Sequence, residues 1–420
     1  MLVNGELLKR SGGPGEGKFG SPLPRRLHSP SMKFSYFPWG FRRRCSFDNL
    51  IFKLLWRLNV VKVLPHLFQP IQFGSVSVRN RIMVSPMCQY SAEEGVPNTW
   101  HQVHLGARAV GGAGIVCTEA TAVEPRGRIT PWCLGLWNDE QARAFAPLAA
   151  FIESQGAVPA VQLAHAGRKA SIGKPWEGGK PLSPGERGWE VIGPSAIPFG
   201  PGHLMPREMG RAELDQVVKA FADAARRART AGFQIVEIHA AHGYLLHSFI
   251  SPLSNHRQDS HGGTPEKRQR LLMEVLDAVR GQWPRELPLF VRLSCSDWVE
   301  GGLELREIEA LSTRLKNRGD VDLLDCSSGG NSPAQKVPVH PGYQVPFADA
   351  VRKASGLATG AVGMIRSPQQ AEEILANGRA DLVLLARQLL DDPHWPLHAA
   401  RALGAEIPWP NQYLRGNIVG

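Results

Sequence analysis

The amino-acid sequence predicts an α/β fold, a single (β/α)8 TIM barrel preceded by a basic N-terminal extension. From residue 67 onward, short runs rich in Val, Ile, Leu and Ala alternate with longer amphipathic segments, and eight such units follow one another. The short runs are continuously apolar, as are strands of a parallel sheet whose two faces are both covered. Many of the amphipathic segments end at a glycine, which is the residue that terminates helices in a left-handed conformation.

The eight predicted strands are residues 81–86, 114–123, 158–164, 235–240, 289–294, 321–328, 358–363 and 381–387. The predicted helices between them include residues 139–155, 211–231, 265–283, 304–318 and 367–377, and the glycines that end several of them are Gly156, Gly232, Gly319 and Gly378. This number of units favours a closed parallel barrel. An open doubly wound sheet is the alternative, but it would need a GxGxxG turn after its first strand, and the sequence has none there.

The first 66 residues differ in composition from the rest of the chain. They carry 12 Lys and Arg against three Asp and Glu, so they hold nearly all of the formal net charge of +10. Residues 11–30 are rich in Gly, Pro and Ser, and residues 42–44 are three arginines. We expect a disordered extension, a targeting segment or an interaction arm in residues 1–66, and a single barrel domain in residues 67–420. The charge therefore does not indicate a nucleic-acid surface on the barrel.

The cysteines and the hydropathy indicate the compartment. Six cysteines are scattered without a CxxC pair or a metal-binding spacing, which is typical of free thiols in a reducing environment. No apolar stretch approaches the ~18–20 residues that a membrane span requires. We therefore expect a cytoplasmic protein without a membrane partner, or an organellar one if the first 66 residues are a transit peptide.

Chemistry in such a barrel is located at the C-terminal ends of the strands. The fourth predicted strand ends with His239, His242 and Tyr244, which places three proton-carrying groups together. Neutral imidazoles can donate hydrogen bonds to a carbonyl or nitro oxygen and stabilise the charge that develops as hydride arrives, and a tyrosine hydroxyl can deliver a proton. Two alternatives remain open, namely a zinc site built on the two histidines and a pair of hydrogen-bonded core histidines.

Two other apolar strands each contain one polar residue. A buried Gln162 needs hydrogen-bond partners, which either a ligand edge or a neighbouring loop could supply. A buried Arg292 is costly unless an anion or several acceptors meet it. An electron-rich flavin pyrimidine would suit Arg292, and so would an internal salt bridge to Asp297 or Asp325.

The first strand and the last two strands end in further candidate residues. Pro86 follows Ser85 and stops strand pairing, so the chain turns outward there. Cys88 either lies beside a ligand or is a core cysteine next to this turn. The last two strands end near Gly363 and Arg387, and the loops at these positions bind phosphate in this kind of barrel. Tight packing with a surface arginine is the alternative interpretation.

These segments together resemble the Old Yellow Enzyme family, in the thermophilic-like branch that includes bacterial xenobiotic reductases. The resemblance covers residues from about 67 to 416, and HAAHGYLLHSF followed by SPLSNHR is its most specific part. It implies a β/α barrel with non-covalently bound FMN, NADPH or NADH as the reductant, and activated alkenes such as enones and nitroalkenes as acceptors. The other matching segments are NRIMVSPMCQYSA, GRITPWCLGLW, VQLAHAGRKAS, LFVRLSCSDW, LLDCSSGG, ATGAVGMI and QYLRG.

The resemblance also implies residue roles. His239 and His242 would bind the acceptor's oxygen, Tyr244 would donate the proton, and Cys88 would tune the flavin potential. The acceptor site would also include Tyr90, Ile129, Lys169 and Arg415. The FMN site would consist of Ser85, Pro86, Met87, Cys88, Ala120, Gln162, Arg292, Gly363, Ala386 and Arg387.

Arg415 matches an arginine that reaches into a neighbouring subunit's site in this branch. The resemblance therefore implies a homo-oligomer, either a dimer or a tetramer. Ala386 departs from the family pattern, because relatives usually have glycine before the phosphate-binding arginine.

Three rival functions can be compared with this interpretation. One is a metal-dependent barrel hydrolase or lyase that uses His239 and His242, and another is a flavin-binding protein without turnover. The third, a larger dienoyl-CoA-type flavin reductase, would need a Cys-rich cluster motif and an added dinucleotide domain, neither of which we expect in this chain. We expect small-molecule partners, no nucleic acid and no resident metal.

Overall fold

Eight parallel strands form a closed barrel in the computed structural model of the protein, which describes residues 64–417. In chain order, the strands are β1 (Ile71–Phe73), β2 (Val76–Val78), β3 (Ile82–Val84), β4 (Ile115–Ala122), β5 (Val158–Ala164), β6 (Ile192–Gly193), β7 (Arg207–Glu208), β8 (Ile235–Ala240), β9 (Leu289–Ser294), β10 (Leu323–Ser327), β11 (Ala358–Ala361) and β12 (Leu382–Leu385). Strands β3, β4, β5, β8, β9, β10, β11 and β12 follow one another around the barrel, and β12 pairs with β3 to close it. This arrangement confirms the predicted fold class.

Helices follow most barrel strands and cover the outside of the barrel. Two of them begin at asparagine caps, because the side chains of Asn98 and Asn138 accept hydrogen bonds from backbone N–H groups of the first turn. The helices are α1 (Thr99–Val110), α2 (Asp139–Ser154), α3 (Arg211–Thr230), α4 (Leu245–Ile250), α5 (Pro265–Arg268), α6 (Arg270–Arg280), α7 (Leu305–Arg318), α8 (Val345–Ser355), α9 (Pro368–Ala376), α10 (Arg387–Asp391) and α11 (Trp395–Ala402).

All eight predicted barrel strands are present, and each is at most two residues shorter at either end than predicted. The helix predicted over residues 265–283 is two helices, α5 and α6, that meet at Gln269. The β1–β2 hairpin, α1 and α8 were not predicted from the sequence. Strands of three residues are too short for their side-chain alternation to be recognised.

The N-terminal end of the barrel is filled by apolar side chains. The β1–β2 hairpin packs against it, and the ring of Phe73 lies 5.1 Å from that of Phe290 in an edge-to-face arrangement. Barrel residues that belong to the same apolar cluster are Met83, Ile115, Val158, Ala160, Ile235, Leu323, Leu382 and Leu384. This packing leaves the C-terminal end, the barrel mouth, as the place where a ligand can meet the strands.

A long segment between β5 and α3 carries the short β6–β7 pair and contributes to an apolar cluster at the mouth. This mouth cluster consists of Ile129, Cys133, Ala166, Ala170 and Val191, and other partly buried side chains pack against it. Among residues 64–417, no helix combines the length and apolarity that a bilayer span demands. The predicted extension of residues 1–66 falls almost entirely outside the described residues, so the expectations for it stay predictions.

Candidate active site at the barrel mouth

The end of β8 and the loop after it bring together the three predicted proton-carrying side chains. The ring centroid of His239 lies 5.0 Å from that of His242 and 5.0 Å from that of Tyr244. Both histidines are buried, and Tyr244 is half-buried. The backbone after β8 therefore places two imidazoles and one phenol on the same side of the mouth.

This placement depends on an unusual backbone conformation. His242 and Gly243 have φ angles of +63° and +74°, a left-handed conformation that glycine adopts freely but histidine adopts only under constraint. The N–H of His242 donates to Ser294 Oγ at 2.9 Å, and the N–H of Gly243 donates to His247 Nδ1 at 2.7 Å. Buried hydrogen bonds thus hold the His242 backbone in its strained conformation.

The two histidines are hydrogen-bonded to each other. His239 Nδ1 accepts from the Ala241 N–H at 3.3 Å, which assigns the His239 ring proton to Nε2. That Nε2 lies 3.3 Å from His242 Nδ1, and His242 Nε2 lies 2.7 Å from Ser327 Oγ. The bond between the rings is long and correspondingly weak, so an incoming oxygen acceptor can replace it at small cost.

Both imidazoles are uncharged at neutral pH. Burial, followed by the positive charge of Arg292, holds the pKa of His239 and of His242 well below the usual value. A neutral imidazole carries one N–H and can donate one hydrogen bond. The pair can therefore polarise a ligand oxygen by hydrogen bonding without adding a full positive charge.

Lys169 connects the His242 loop to the loop after β10. Its Nζ donates to the carbonyl oxygen of His242 at 2.9 Å and to that of Gly330 at 2.7 Å. It also lies 5.1 Å from the ring centroid of Tyr244. Burial, with a smaller contribution from Arg168, lowers the pKa of Lys169 to about 7. The predicted acceptor-site lysine thus uses its ammonium group to fix the loop that carries His242.

Cys88, Tyr90 and Tyr244 all pack against the mouth cluster, to which Ile129 belongs. Burial raises the pKa of Tyr244 well above its usual value, and the same cause raises that of the Cys88 thiol. Both groups therefore keep their protons at neutral pH. Within residues 64–417, the Tyr244 hydroxyl makes no hydrogen bond. The four predicted residues share one apolar surface at the mouth.

A β-bulge in β4 sets the positions of Glu119 and Ala120. The register between β4 and β5 shifts before Ala120, which is then paired with Gln162. Glu119 accepts from the Gln89 N–H at 3.1 Å and lies 3.3 Å from His101 Nε2 on α1. The loop that carries Cys88 is thereby attached to the barrel wall. Glu119 was not predicted as a site residue, although an acidic residue in a continuously apolar strand was a usable signal.

A layer of polar side chains lies inside the barrel, between the apolar N-terminal end and the mouth; we call Ser85, Gln162, Glu237, Arg292 and Asp325 the polar layer. Arg292 Nε is 2.7 Å from Asp325 Oδ2, and Arg292 Nη2 donates to Ser85 Oγ at 3.3 Å. Because β9 and β3 are not neighbours, this second contact crosses the barrel interior. Gln162 Nε2 donates to Glu237 Oε1 at 2.7 Å. All five side chains are buried.

Of the two salt-bridge partners predicted for Arg292, the structure shows Asp325. The parallel register pairs Arg292 with Asp325 directly. Asp297 instead lies 3.2 Å from His247 Nε2 and accepts from Ser251 Oγ at 2.5 Å and from the Leu303 N–H at 2.9 Å. Burial opposes ionisation of Asp297, but these partners together keep its pKa below the usual value. Through His247, this buried group supports the Gly243 backbone.

The ends of β11 and β12 lie side by side at the mouth. Gly363 follows β11 with a φ of +125°, and its carbonyl oxygen accepts from the Gly342 N–H at 2.8 Å. Ala386 precedes α10, and Arg387 is the first residue of that helix and is exposed. Arg387 and Arg292 both lower the pKa of Tyr343, although burial raises it overall. Tyr343 therefore lies within electrostatic range of both guanidinium groups, and sequence reasoning had not singled it out.

Three remaining predicted residues lie in different surroundings. Pro86 and Met87 continue the chain outward after β3, and Met87 packs against the main core. Arg415 is exposed in the 3-10 helix Asn411–Gly416, where Tyr413 and Leu414 are exposed too. Its role in a neighbouring subunit's site stays a prediction. Within residues 64–417, no cluster of three or more His, Cys, Asp or Glu side chains has an arrangement suited to a metal ion.

Comparison with known proteins gives the family. The profile of the NADH:flavin oxidoreductase / NADH oxidase family matches residues 66–406. The NADPH dehydrogenase of Geobacillus thermodenitrificans (strain NG80-2) is 48% identical over 352 residues, which are 83% of this chain and 98% of that protein. The NADPH dehydrogenase of Bacillus subtilis (strain 168) is 46% identical over 352 residues, with the same coverage.

Solved structures give the same result. Morphinone reductase in complex with tetrahydroNAD has a TM-score of 0.68 and 26% identity, covering 83% of this chain and 93% of that one. A 2-naphthoyl-CoA reductase complex has a TM-score of 0.72 and 28% identity over 81% of this chain, which spans about half, 52%, of that longer protein. The chain belongs to the NADH:flavin oxidoreductase / NADH oxidase family and is an NAD(P)H-dependent FMN oxidoreductase related to the Old Yellow Enzymes.

Proposed function

We propose that the protein reduces the carbon–carbon double bond of activated alkenes, such as enones and nitroalkenes, with NAD(P)H as the source of hydride. The observation that carries this proposal is the placement of His239, His242 and Tyr244 together at the mouth. Relatives named NADPH dehydrogenase support the nicotinamide as reductant, and a structural neighbour named morphinone reductase supports a small carbonyl compound as the acceptor.

The mouth residues fit FMN as the group between the two substrates. Glu237 Oε2 and Asp325 Oδ1 are buried without a hydrogen-bond partner among residues 64–417, so the polar layer has unused polar atoms. A heterocycle with both donors and acceptors on its edge suits such a layer, and the exposed Arg387 suits a phosphate. The proposed FMN site consists of Ser85, Pro86, Met87, Cys88, Ala120, Gln162, Arg292, Gly363, Ala386 and Arg387. When bound there, FMN supplies the hydride that NAD(P)H has given to it.

His239 and His242 bind the oxygen of the acceptor in this proposal. Once the weak bond between the rings is broken, the Nε2–H of His239 is free to donate to this oxygen. His242 donates to it as well when its single proton lies on Nδ1 and its Nε2 accepts from the Ser327 hydroxyl. Hydrogen bonds from such preformed donors stabilise the negative charge that builds up on the oxygen during hydride transfer. Ser327 is well placed to assist, because its hydroxyl contacts His242 Nε2.

Tyr244 is the proposed proton donor to the α-carbon. Burial keeps its hydroxyl protonated, and that hydroxyl is free to face a substrate. Tyr90, Ile129 and Lys169 complete the proposed acceptor site, with Lys169 acting on the loop that carries His242. Cys88 lies beside them as a neutral thiol that we propose tunes the flavin potential.

We further propose that Arg415 completes the acceptor site of a neighbouring subunit in a homo-oligomer. The exposed side chains of Tyr413 and Leu414 beside it support this proposal, because apolar groups at a chain's surface are well suited to an interface. Sedimentation velocity of the wild-type protein and of Arg415→Ala, combined with the KM for an enone, tests it. A monomeric wild-type protein would contradict the proposal.

The reduction of cyclohexenone tests the main proposal. NADPH-reduced enzyme is mixed with cyclohexenone without oxygen, and reoxidation of the flavin is followed for wild type and for His239→Ala/His242→Ala. Loss of oxyanion donors typically costs 10²–10³-fold in rate, so the double variant should be slower by at least about 100-fold. His398→Ala, which removes an exposed histidine on α11, is the matched control and should react like wild type.

Three outcomes would contradict this function. Unchanged reoxidation in the double variant would exclude the polarising role of the histidines. A wild-type protein that binds FMN but is reoxidised by no enone or nitroalkene would instead indicate a flavin-binding protein without this turnover. Activity that depends on added zinc and not on FMN would favour the metal-dependent alternative.

A further inference from the structure

Glu237 is a buried carboxyl group that the proposed chemistry does not use. It lies in the middle of β8, has no exposed surface and belongs to the polar layer. Its Oε1 accepts from Gln162 Nε2 at 2.7 Å, whereas its Oε2 is buried and has no partner among residues 64–417. In such surroundings a carboxylate with a single hydrogen bond costs much more free energy than a protonated carboxyl group does.

The charges around Glu237 do not balance if every group is ionised. Arg292 faces it from β9, Asp325 from β10 and the Cys117 thiol from β4. Arg292 is already within 2.7 Å of Asp325, so one guanidinium is shared by two carboxyl groups. Burial, followed by Asp325, raises the pKa of Glu237 to about 8, and Arg292 opposes this rise. Asp325 is raised less, so Asp325 is the group that ionises first.

The hydrogen bond between Gln162 and Glu237 also fixes an orientation. Because the amide nitrogen of Gln162 faces Glu237, its amide oxygen remains available to a ligand at the mouth. The proton of Glu237 then resides on Oε2, since Oε1 is the accepting atom. In this state, Gln162 offers an acceptor to a ligand at the mouth, and the buried Glu237 carries a proton and no charge.

We propose that Glu237 is a positioning residue with two effects while FMN is bound: its Oε1 holds the amide of Gln162 with the oxygen toward FMN, and a proton kept on its Oε2 leaves the polar layer without net charge. With Glu237 protonated, the charges of Arg292 and Asp325 cancel. Loss of the proton would leave one negative charge beneath a cofactor that itself becomes negative on reduction. This inference rests on the proposed position of FMN above the polar layer.

The proton balance of reduction follows from this proposal. Reduction of bound FMN takes up two electrons and one proton, and the product is an anion at neutral pH. Above the pKa of Glu237, a second proton moves from water to Glu237 in the same step. Each proton taken up with two electrons changes the ratio of affinities for reduced and oxidised FMN tenfold per pH unit, which corresponds to about 30 mV. The two electrons can come from NAD(P)H or from dithionite, and the number of protons taken up is the same with either reductant.

The test is a redox titration of the holoenzyme against reference dyes between about pH 6.5 and 9.5, with dithionite as reductant. Above the pKa of Glu237, the midpoint potential of the wild-type protein should fall more steeply with pH than below it. The additional slope should be about 30 mV per pH unit, which corresponds to a tenfold change in the ratio of affinities for reduced and oxidised FMN. In Glu237→Gln, which has no titrating group at this position, the additional slope should be absent. Asp322→Asn removes a half-buried carboxylate at the opposite end of the barrel and should reproduce the wild-type profile.

A second measurement covers the case in which the variant does not fold. In holoenzyme labelled with carboxyl-¹³C glutamate, one signal should titrate far above the ordinary value of about 4.3 and should persist in Glu119→Gln, which removes the other buried glutamate whose pKa burial raises. Identical slopes in wild type and Glu237→Gln, or glutamate signals that all titrate near the ordinary value, would overturn the inference. FMN bound with unaltered pH dependence contradicts only the role of Glu237, whereas a protein that takes up no FMN contradicts the site itself.

Discussion

The substitution Tyr244→Phe separates the chemistry of the mouth from its packing. The ring of Tyr244 contacts His239, Lys169 and the mouth cluster, and phenylalanine preserves all of these ring contacts. The hydroxyl that it removes has no hydrogen-bond partner within residues 64–417. The free energy of unfolding should therefore change by no more than about 0.5 kcal/mol, as is usual where no special interaction is lost.

The effect of Tyr244→Phe on the reaction should be much larger. A positioned general acid contributes about 10²–10⁴-fold to a rate, and each tenfold corresponds to about 1.36 kcal/mol of barrier. The alkene half-reaction should consequently lose about 3–5 kcal/mol of transition-state stabilisation. The reduction of the flavin by NADPH needs no proton from Tyr244, so its rate should remain within about threefold of wild type.

Stopped-flow absorbance resolves the two half-reactions under anaerobic conditions. NADPH is mixed with oxidised enzyme in one experiment, and cyclohexenone is mixed with reduced enzyme in the other. Equal slowing of both half-reactions would refute the role of Tyr244 as proton donor and would indicate a general disturbance of the mouth. An unaffected alkene half-reaction would refute it as well, because another group would then supply the proton.

Three further predictions concern stability, measured by urea unfolding. Gly243→Ala should lower the free energy of unfolding by about 3 kcal/mol or more, because Gly243 has a positive φ and an added Cβ would overlap a carbonyl oxygen. Gly185→Ala is the control and should leave the free energy of unfolding unchanged, because the space around Gly185 is open. Equal free energies of unfolding for the two variants would contradict this prediction. Asp297→Asn should cost about 1.5–3 kcal/mol, because it weakens the hydrogen bonds that a buried charged group accepts from Ser251 and Leu303, and a cost below about 1 kcal/mol would contradict it. The pKa of Lys169 is about 7 in the folded protein and 10.5 in an exposed chain. Between pH 7 and 10.5 the unfolded state therefore binds more protons than the folded state. The free energy of unfolding should consequently rise with pH in this range, by up to about 1.4 kcal/mol per pH unit. Lys169→Met should abolish that rise, and a wild-type protein without it would contradict the expectation.

The barrel was predictable because its strands are continuously apolar and its helices end at glycines in left-handed conformations. Gly156, Gly232, Gly319 and Gly378 all have positive φ, as their positions after predicted helices require. The strand ends were predictable for the same reason, since residues that follow an apolar run reach the mouth in this fold. Local sequence patterns were therefore enough to predict that His239 and Tyr244 lie together at the mouth.

Contacts between distant segments were not predictable in this way. Arg292 offered two equally plausible partners, and only the parallel register of β9 and β10 decides for Asp325. Glu237 and Glu119 were overlooked, although each is a charged residue within an apolar strand, the same signal that identified Arg292. The contact between His239 and His242 depends on the φ of His242, which no residue pattern indicates.

The visible spectrum of the purified protein during an anaerobic titration tests the central claim most directly. The account predicts a yellow protein whose flavin absorbance disappears with one equivalent of NADPH per site and returns when cyclohexenone is added. A colourless protein that takes up no added FMN, or a reduced flavin that no activated alkene reoxidises, would contradict it.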